Sequence, residues 1–576
     1  MKKILLLVFG LLMYTDMQAQ EFETATEAVK NMGLGWNLGN TLDAYSQDVL
    51  DPSKDEFWGQ QGLESENDWG QPNTTRELIH MMKEAGFGAI RVPVTWFNHM
   101  DSETSAIDEA WMKRVHEIVD YVIDEGLYCI INVHHDTGSD LNDEGKQTRY
   151  HWIKADEDNY LKHGLRFIGL WAQIAAEFRN YDEKLLFESY NEMLDPLSSW
   201  CFASFNAPGQ YNAEVAASAY KGLNSYADAF IQTVRATGGN NATRNLIVNT
   251  YCAGNGSGGW NSHLTDVLTQ LEVTDQVEGH LAFEVHAYPT LANGKKEVDD
   301  IISKVNTHLA PKGPIIIGEW GTSNVDKSPN DYDNEPQKFL EFCEYFVEQA
   351  KQNNIATFYW MGLSDGFYRS YPAFNQPAIA ETIAKAYHGD DFVGKYPTRE
   401  ASDETVVFEG EKMLEWGTAV SLVKEVFDGL DNSTYVEVTY SQETSELSAT
   451  EAYDMMQFWY NDWSEQINFV VDGKEYVNNF EPSKHYGTPE SGTVHTTAFA
   501  FDEATFNAFK QKGMLFQGHG VKVTKVVLTK TPSTGIATIV SDTKEAQGDI
   551  YNLAGQRVSS PSKGIYIQNG KKYIVR

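Results

Sequence analysis

Two glutamates stand where apolar segments stop. Leu185-Leu186-Phe187-Glu188-Ser189-Tyr190-Asn191-Glu192 starts as a buried strand and finishes in an amide and a carboxylate. Pro314-Ile315-Ile316-Ile317-Gly318-Glu319-Trp320-Gly321 sets three isoleucines in front of Glu319. Packing alone gives an apolar strand no reason to end in such groups. At the carboxyl ends of two strands of one parallel barrel, Glu192 and Glu319 would project into the same mouth. Paired carboxylates of this kind are what cleavage of a glycosidic bond needs. Taken singly, each glutamate also fits as the first residue of a solvated loop.

The elements that must position this pair are legible as a rhythm. From Gly33 to about His388, short apolar runs alternate with longer helix-like segments, which argues for parallel strands joined by helical crossovers. The predicted strands are Gly33 to Asn37, Ala89 to Pro93, Tyr128 to His134, the run before Glu192, Leu246 to Asn249, His280 to His286, the run before Glu319, and Ala356 to Trp360. Between them lie helical stretches such as Thr74 to Ala85, Ile107 to Glu125, Leu161 to Phe178 and Val215 to Ala236. The fold class is therefore α/β, a (β/α)8 TIM barrel, in about the length that fold needs. A doubly wound open sheet is the alternative, but no Gly-rich phosphate loop follows the first strand.

In the barrel, the strand ends carry Asn37, Arg91, His134-His135-Asp136, Asn191-Glu192, His286 with Tyr288, Glu319 and Trp360. Each has a plain alternative. Arg91 fits an ordinary ion pair, His134 and His286 fit hydrogen-bonded core histidines, and Trp360 fits the core. His134-His135-Asp136 has metal-ligand residue types without matching ligand spacing, so no metal site is expected. Polar and aromatic groups at so many strand ends suit a sugar site better than coincidence does.

Composition narrows the partners. The 576 residues exceed one core, so two or more domains are expected. With 45 Lys+Arg against 82 Asp+Glu the net charge is −37, which argues against nucleic acid and anionic membrane and leaves a neutral polymer compatible. Met1-Lys2-Lys3 followed by Ile4 to Met13 has the charged and apolar regions of a secretory signal, with Ala19 as a cleavage point. That run is too short to span a bilayer, so no membrane insertion is expected. The four cysteines, Cys129, Cys201, Cys252 and Cys343, are scattered without metal spacing; Cys129 lies in an apolar run and reads as a buried thiol, while a disulfide between some pair stays open.

A specific resemblance emerges from the motifs. Gly33-Leu34-Gly35-Trp36-Asn37-Leu38-Gly39-Asn40-Thr41-Leu42-Asp43-Ala44 resembles the opening of glycoside hydrolase family 5 endoglucanases. Trp69 to Thr75, Ile90 to Trp96, Asn132 to Asp136, Thr237 to Asn241, His286-Ala287-Tyr288 and Ile317 to Gly321 match further family segments. The combination is most similar to subfamily 4, which holds endo-β-1,4-glucanases, lichenases and xyloglucanases, and it covers roughly residues 30 to 390. The resemblance implies Glu192 as general acid/base and Glu319 as nucleophile. Asn191 would hold the sugar 2-hydroxyl, Arg91 and Tyr288 would surround Glu319, and His134 and His286 would complete the hydrogen-bond shell. Trp360 would be the stacking floor, with Asn37 and His135 as glucan contacts. No cofactor is implied. Met193 stands where the family commonly has proline, and Met361-Gly362 where Asp-Asn is common, so the cleft is expected to be reshaped.

The predicted domains are a signal peptide over 1–20, the catalytic barrel over 21–390, a linker over 391–404 and an all-β sandwich over 405–530. A second linker over 531–547 and a tail over 548–576 follow. Val436 to Tyr440, Phe469 to Val471 before Asp472-Gly473, and Val521 to Thr524 read as antiparallel strands. Within the sandwich, Phe458-Trp459-Tyr460-Asn461-Asp462-Trp463, if extended, puts Trp459 and Trp463 on one face, either as core or as a sugar platform. The two β-like pieces after Gly548 resemble the sorting tail of type IX secretion, with a simple hairpin as the alternative. The expectation is a secreted or cell-surface retaining endo-β-1,4-glucanase acting on a polysaccharide and handled by a secretion machinery. An endo-β-mannanase and a non-catalytic glucan-binding protein are its rivals.

Overall fold

The computed structural model describes residues 22–46, 60–141, 145–200, 202, 211–325, 327, 329–398, 404–417, 419–443, 454–487, 492–532, 550–552, 564–568 and 571–575. The signal segment 1–20, Cys201 and most of the second linker lie outside them. The chain forms two units, residues 1–399 and 400–576.

The first unit is a closed barrel of eight parallel strands in sequential order. They are β1 (Leu34–Asn37), β2 (Ala89–Val92), β3 (Tyr128–Asn132), β4 (Leu185–Glu188), β5 (Leu246–Asn249), β6 (Leu281–Ala287), β7 (Ile315–Trp320) and β8 (Ala356–Tyr359). The (β/α)8 expectation is met, and the open sheet is excluded by the pairing of β1 with β8. Helices of the outer ring start where side chains satisfy their first amides: Thr75, Asp108, Asp156 and Asn212 each accept a hydrogen bond from the backbone N–H three residues on. Their apolar stripes, such as Val115, Ile118, Val119 and Val122 on the helix Glu109–Asp124, pack against the outward side chains of the strands.

The barrel interior has two storeys. Ala89, Ile130, Leu186, Ile247, Ala282, Ile316, Ala356 and Phe358 form an apolar plug, closed from below by Ala25, Ala28, Val29 and Met32 of the helix Ala25–Met32. Phe358 fills the space above Gly35, where a Cβ would lie 2.2 Å from its ring. Two residues further along the strands the inward positions turn polar: Asn37, Arg91, Asn132, Glu188, Asn249 and Glu284, all at most 1% exposed.

Strand β7 breaks the alternation. Val285 pairs with Ile317, but His286 pairs with Glu319, so Gly318 is one residue extra relative to β6; the pairing with β8 shifts at the same place. Ile316 faces the plug and Trp320 stacks outward on Phe346, ring centroids 4.2 Å apart. The bulge at Gly318 is what turns Glu319 inward.

The second unit is an antiparallel sandwich, as expected. One sheet is β10 (Val420–Leu422), β17 (Met514–His519), β12 (Met455–Tyr460) and β15 (Asn479–Phe480), in that order. The other is β16 (Thr493–Phe499), β11 (Tyr435–Gln442), β18 (Val521–Thr529) and β9 (Glu404–Leu414). Hairpin β13 (Phe469–Val471) with β14 (Lys474–Tyr476) adds Phe469 to a ring core shared with Phe458, Phe499 and Phe501. In the tail, β19 (Ile550–Asn552), β20 (Gly564–Gln568) and β21 (Lys571–Val575) form a three-stranded antiparallel sheet. Cys129 and Cys343 are buried free thiols, and Cys252 is buried as well. No helix among the described residues is long and apolar enough to cross a membrane.

Candidate active site

Arg91 is the hub of the polar storey. On β2 it is fully buried, and its guanidinium reaches four groups. Nε and Nη2 donate to Glu188 Oε2 and Oε1 at 2.7 and 2.8 Å, and Nη2 also donates to Asn191 Oδ1 at 2.9 Å. Nη1 donates to Asn37 Oδ1 at 3.0 Å and to Glu319 Oε1 at 2.9 Å. Burial opposes its charge, but Glu188, Glu284 and Glu319 outweigh burial and hold Arg91 well above its ordinary value. Such a forked cation fixes the orientation of every carboxylate it touches.

Glu319 receives a second donor, Tyr288 Oη to Oε2 at 2.7 Å. Its oxygens also lie 3.4 Å from His286 Nδ1 and 4.0 Å from His134 Nε2. Glu192 sits in the loop after β4, with Oε1 2.8 Å from the same His286 Nδ1. Carboxylate oxygens of Glu192 and Glu319 lie within 4.8 Å of each other. Glu319 is 5% exposed, whereas the Glu192 side chain is 27% exposed and faces the cleft.

The two histidines differ in charge. Burial, reinforced by His135, Arg91 and His286, holds His134 well below its ordinary value, so it is neutral. Asn132 Nδ2 donates to His134 Nδ1 at 3.0 Å, which places the ring proton on Nε2, toward Glu319. For His286 burial works the same way, yet Glu319, Glu192 and Glu284 prevail and raise it to about 10, making it an imidazolium at neutral pH.

Above these groups opens a cleft of about 840 Å³ lined by His134, His135, Asn191, Glu192, His286, Tyr288, Glu319 and Trp360, with Trp200 and Trp260 further along. Trp360 lies parallel to His134, at 6° and 6.1 Å, over Gly39, where a Cβ would come within 2.9 Å of its ring. His135 packs against Trp69 and Tyr45. Asn37 corrects the sequence reading: it is no glucan contact. It is fully buried, Nδ2 donates to the carbonyls of Gly318, Phe358 and Tyr359, and Oδ1 is taken by Arg91. Trp459 and Trp463 lie in the second unit. There Phe458 is core and Trp459 faces outward on β12, but Trp463 reaches it through a turn (φ 58°) rather than along an extended strand.

Two residues escaped the sequence reading. Glu188 binds Arg91 with both oxygens and is steadied by Asn132 and Asn249 at 3.0 and 3.2 Å. Glu284 on β6 is fully buried, 3.5 Å from Arg91 Nε and 3.4 Å from His286 Nε2, with no hydrogen-bond donor aligned on either oxygen. Burial first, then the Glu188 charge, raise its carboxyl to about 7, with Arg91 and His286 pulling the other way. A signal was present: Glu188 and Glu284 each follow an inward apolar residue, Leu186 and Ala282, by two positions. As for metal ions, donor atoms of Asp43, His134 and His135, and of Glu192, His286 and Glu319, converge within 4.8 Å in each set. Many of them are already engaged, however: Arg91 and Tyr288 hold Glu319, Asn132 holds His134, and His286 holds Glu192.

A closed parallel barrel whose strand-end mouth joins two carboxylates to a buried arginine and a stacking tryptophan defines a glycoside hydrolase. The family model for cellulase (glycosyl hydrolase family 5) matches residues 43–365. The chain belongs to glycosyl hydrolase family 5. It is 32% identical over 374 residues to endoglucanase B of Neocallimastix patriciarum, covering 64% of this chain and 71% of that protein. Among solved structures, a broad-specificity subfamily 4 endoglucanase from an uncultured bacterium matches with TM-score 0.59 and 56% identity, over 64% of this chain and 98% of that one. A family 5 enzyme from Prevotella bryantii, solved with a xyloglucan tetradecasaccharide, matches with TM-score 0.54 and 39% identity, over 64% and 100%.

Proposed function

We propose that the chain is a secreted retaining endo-β-1,4-glucanase that cuts internal bonds of β-glucans by double displacement. The observation that carries the reading is the spacing of the pair: carboxylate oxygens within 4.8 Å of each other fall at the shorter of the two separations that glycosidases use. Retaining enzymes hold their carboxyls about 5–5.5 Å apart and inverting ones about 6.5–9.5 Å. Glu319, gripped by Arg91 and Tyr288, attacks the anomeric carbon. Glu192, exposed to the cleft, gives its proton to the leaving oxygen and then takes one from water.

The imidazolium of His286 touches both glutamates and links the two steps. When Glu319 becomes an ester its charge is lost, and the attraction on His286 passes to Glu192, which is then the base. Asn191, with Oδ1 held by Arg91, offers its amide N–H to the sugar 2-hydroxyl, and Trp360 provides the stacking floor. The intact pair argues against a barrel that only binds.

Two similar structures, a broad-specificity endoglucanase and an enzyme holding xyloglucan, support a cleft open to plain, mixed-linkage or branched glucans. Proton NMR of the first sugar released, over a panel of cellulose, mixed-linkage glucan, xyloglucan and mannan, tests the reading. The β-anomer from a glucan is expected. An α-anomer removes both assigned roles, and cleavage of mannan alone removes the substrate. Export through the segment 1–20 and sorting through the tail belong to the same proposal; equal secretion of a chain truncated before Gly548 from its native host would defeat the sorting role.

A further inference from the structure

The described residues include two tryptophans that are more than one-third exposed, Trp416 at 45% and Trp463 at 44%, and both belong to the sandwich. They border the same surface. On β12 the inward residues Met456 and Phe458 are fully buried, so Met455, Gln457 and Trp459 face outward. Their partners on β17 are His519, Gln517 and Leu515.

A ladder of carboxamides crosses this face. Gln466 Nε2 donates to Asn479 Oδ1 at 3.3 Å, and Gln457 Nε2 donates to the same oxygen at 2.8 Å. Gln517 Nε2 donates to Gln457 Oε1 at 3.3 Å, and Gly417 N donates to Gln517 Oε1 at 2.8 Å. That last bond sets Trp416 beside the ladder, with its ring parallel to His519 at 6.4 Å. At the opposite end Trp463 packs on Trp459 at 5.9 Å. Four residue steps along β12 separate Met455, opposite His519, from Trp459, so the levels of the two ring pairs stand roughly 13 Å apart along the strand. Every group of the ladder is uncharged, and the charged neighbours Lys512 and Asp462 pair with each other at 3.2 Å.

We propose that this outer face is a second polysaccharide-binding site, taking an extended neutral β-glucan chain across Trp416, the amide ladder and Trp463. Apolar sugar faces stack on the two indoles, and hydroxyls exchange hydrogen bonds with the half-buried Gln457 and Asn479, while buried Gln517 holds the ladder together. A nucleic acid or an acidic peptide would find no cation on the ladder, and a protein partner would find amides already joined to one another at its centre. The glucan class rests on the function proposed for the barrel; the existence of the site rests on the surface itself.

The test uses the full chain carrying Glu319→Ala and Trp360→Ala, so that polymer is neither cut nor held on the cleft floor. Retardation in gels containing mixed-linkage glucan or xyloglucan gives the affinity. Trp416→Ala and Trp463→Ala should each weaken it about tenfold, equivalent to about 1.4 kcal/mol, with the melting temperature unchanged, and Trp416→Phe should restore most of the loss. In the chain with an intact cleft, the same two alanine variants should hydrolyse short soluble oligosaccharides at the parent rate. Unchanged retardation of the double variant, no retardation of the starting chain, or loss of affinity only together with melting temperature overturns the proposal. A chain retarded through Trp416 that cuts no glucan would leave this site standing while removing the catalytic reading.

Discussion

Replacing Glu284 with glutamine tests the electrostatics of the polar storey in one step. Glu284 is fully buried with its carboxyl raised from 4.5 to about 7, chiefly by burial. Between those two values the folded chain keeps a proton that the unfolded chain has lost, so stability falls as pH rises through the window. A shift of that size corresponds to roughly 3 kcal/mol at pH 8, and to nothing at pH 4.5. Glutamine keeps the shape and removes the ionisation. Relative to the parent, Glu284→Gln should therefore gain up to ~3 kcal/mol at pH 8 and be near neutral at pH 4.5. His286 returns part of that gain, because Glu284 is one of the carboxylates that raise it to about 10. Its imidazolium contributes stability that is fully present below the ordinary histidine value and lost as pH rises through 10. Urea unfolding of the barrel from pH 4.5 to 8.5, with the slope compared at each pH, measures the difference. A companion readout is the alkaline limb of kcat/KM, which should move to lower pH as His286 gives up its proton sooner. A variant that loses as much stability at pH 8 as at pH 4.5, with an unmoved alkaline limb, refutes the reasoning.

Gly318→Ala puts a Cβ 1.8 Å from Glu284 Oε1, so the variant should lose several-fold more activity than any substitution on the barrel's outer ring. Adding Glu284→Ala should recover folding, a non-additive pair readable by thermal melting. Arg91→Lys keeps the charge but cannot grip Glu188, Asn191, Asn37 and Glu319 together; kcat should fall at least 100-fold, roughly the scale of one lost transition-state donor, with a smaller change in KM. Asn37→Ala strips hydrogen bonds from three carbonyls and from Arg91, which should cost about 1–3 kcal/mol in denaturant while leaving KM nearly unchanged; a raised KM at full stability would restore it as a sugar contact.

The barrel was legible because its strands are short, mostly apolar runs and its helices keep a 3.6-residue period. The sandwich was legible from alternation and turn residues such as Asp472-Gly473. Glu192, Glu319, Arg91, His134, His286, Tyr288 and Trp360 could be proposed as a group because each follows a strand, and the structure brings all of them to one mouth. Strand ends do not report which way a side chain turns, however, and Asn37 was misjudged for that reason: its amide is spent on the barrel wall. Glu188 and Glu284 were overlooked for the converse reason, as charges inside strands that read as apolar. Trp463 reached its neighbour by a turn that alternation cannot foresee.

The extra residue at Gly318 makes chain length, and not only side-chain identity, a determinant of the chemistry. Substitutions exchange what stands at 319; which way it faces is set by the bulge, which takes up one residue more than β6 between Ile317 and Glu319. Flattened into plain alternation at its present length, the strand would carry the carboxylate to the outside of the wall and an indole toward the mouth, leaving every residue type in place and the reaction gone. Transplanting the glutamate pair onto another eight-stranded scaffold therefore means transplanting a gap in the alignment, and with it an empty Cβ position beside whatever acid stands at the place of Glu284.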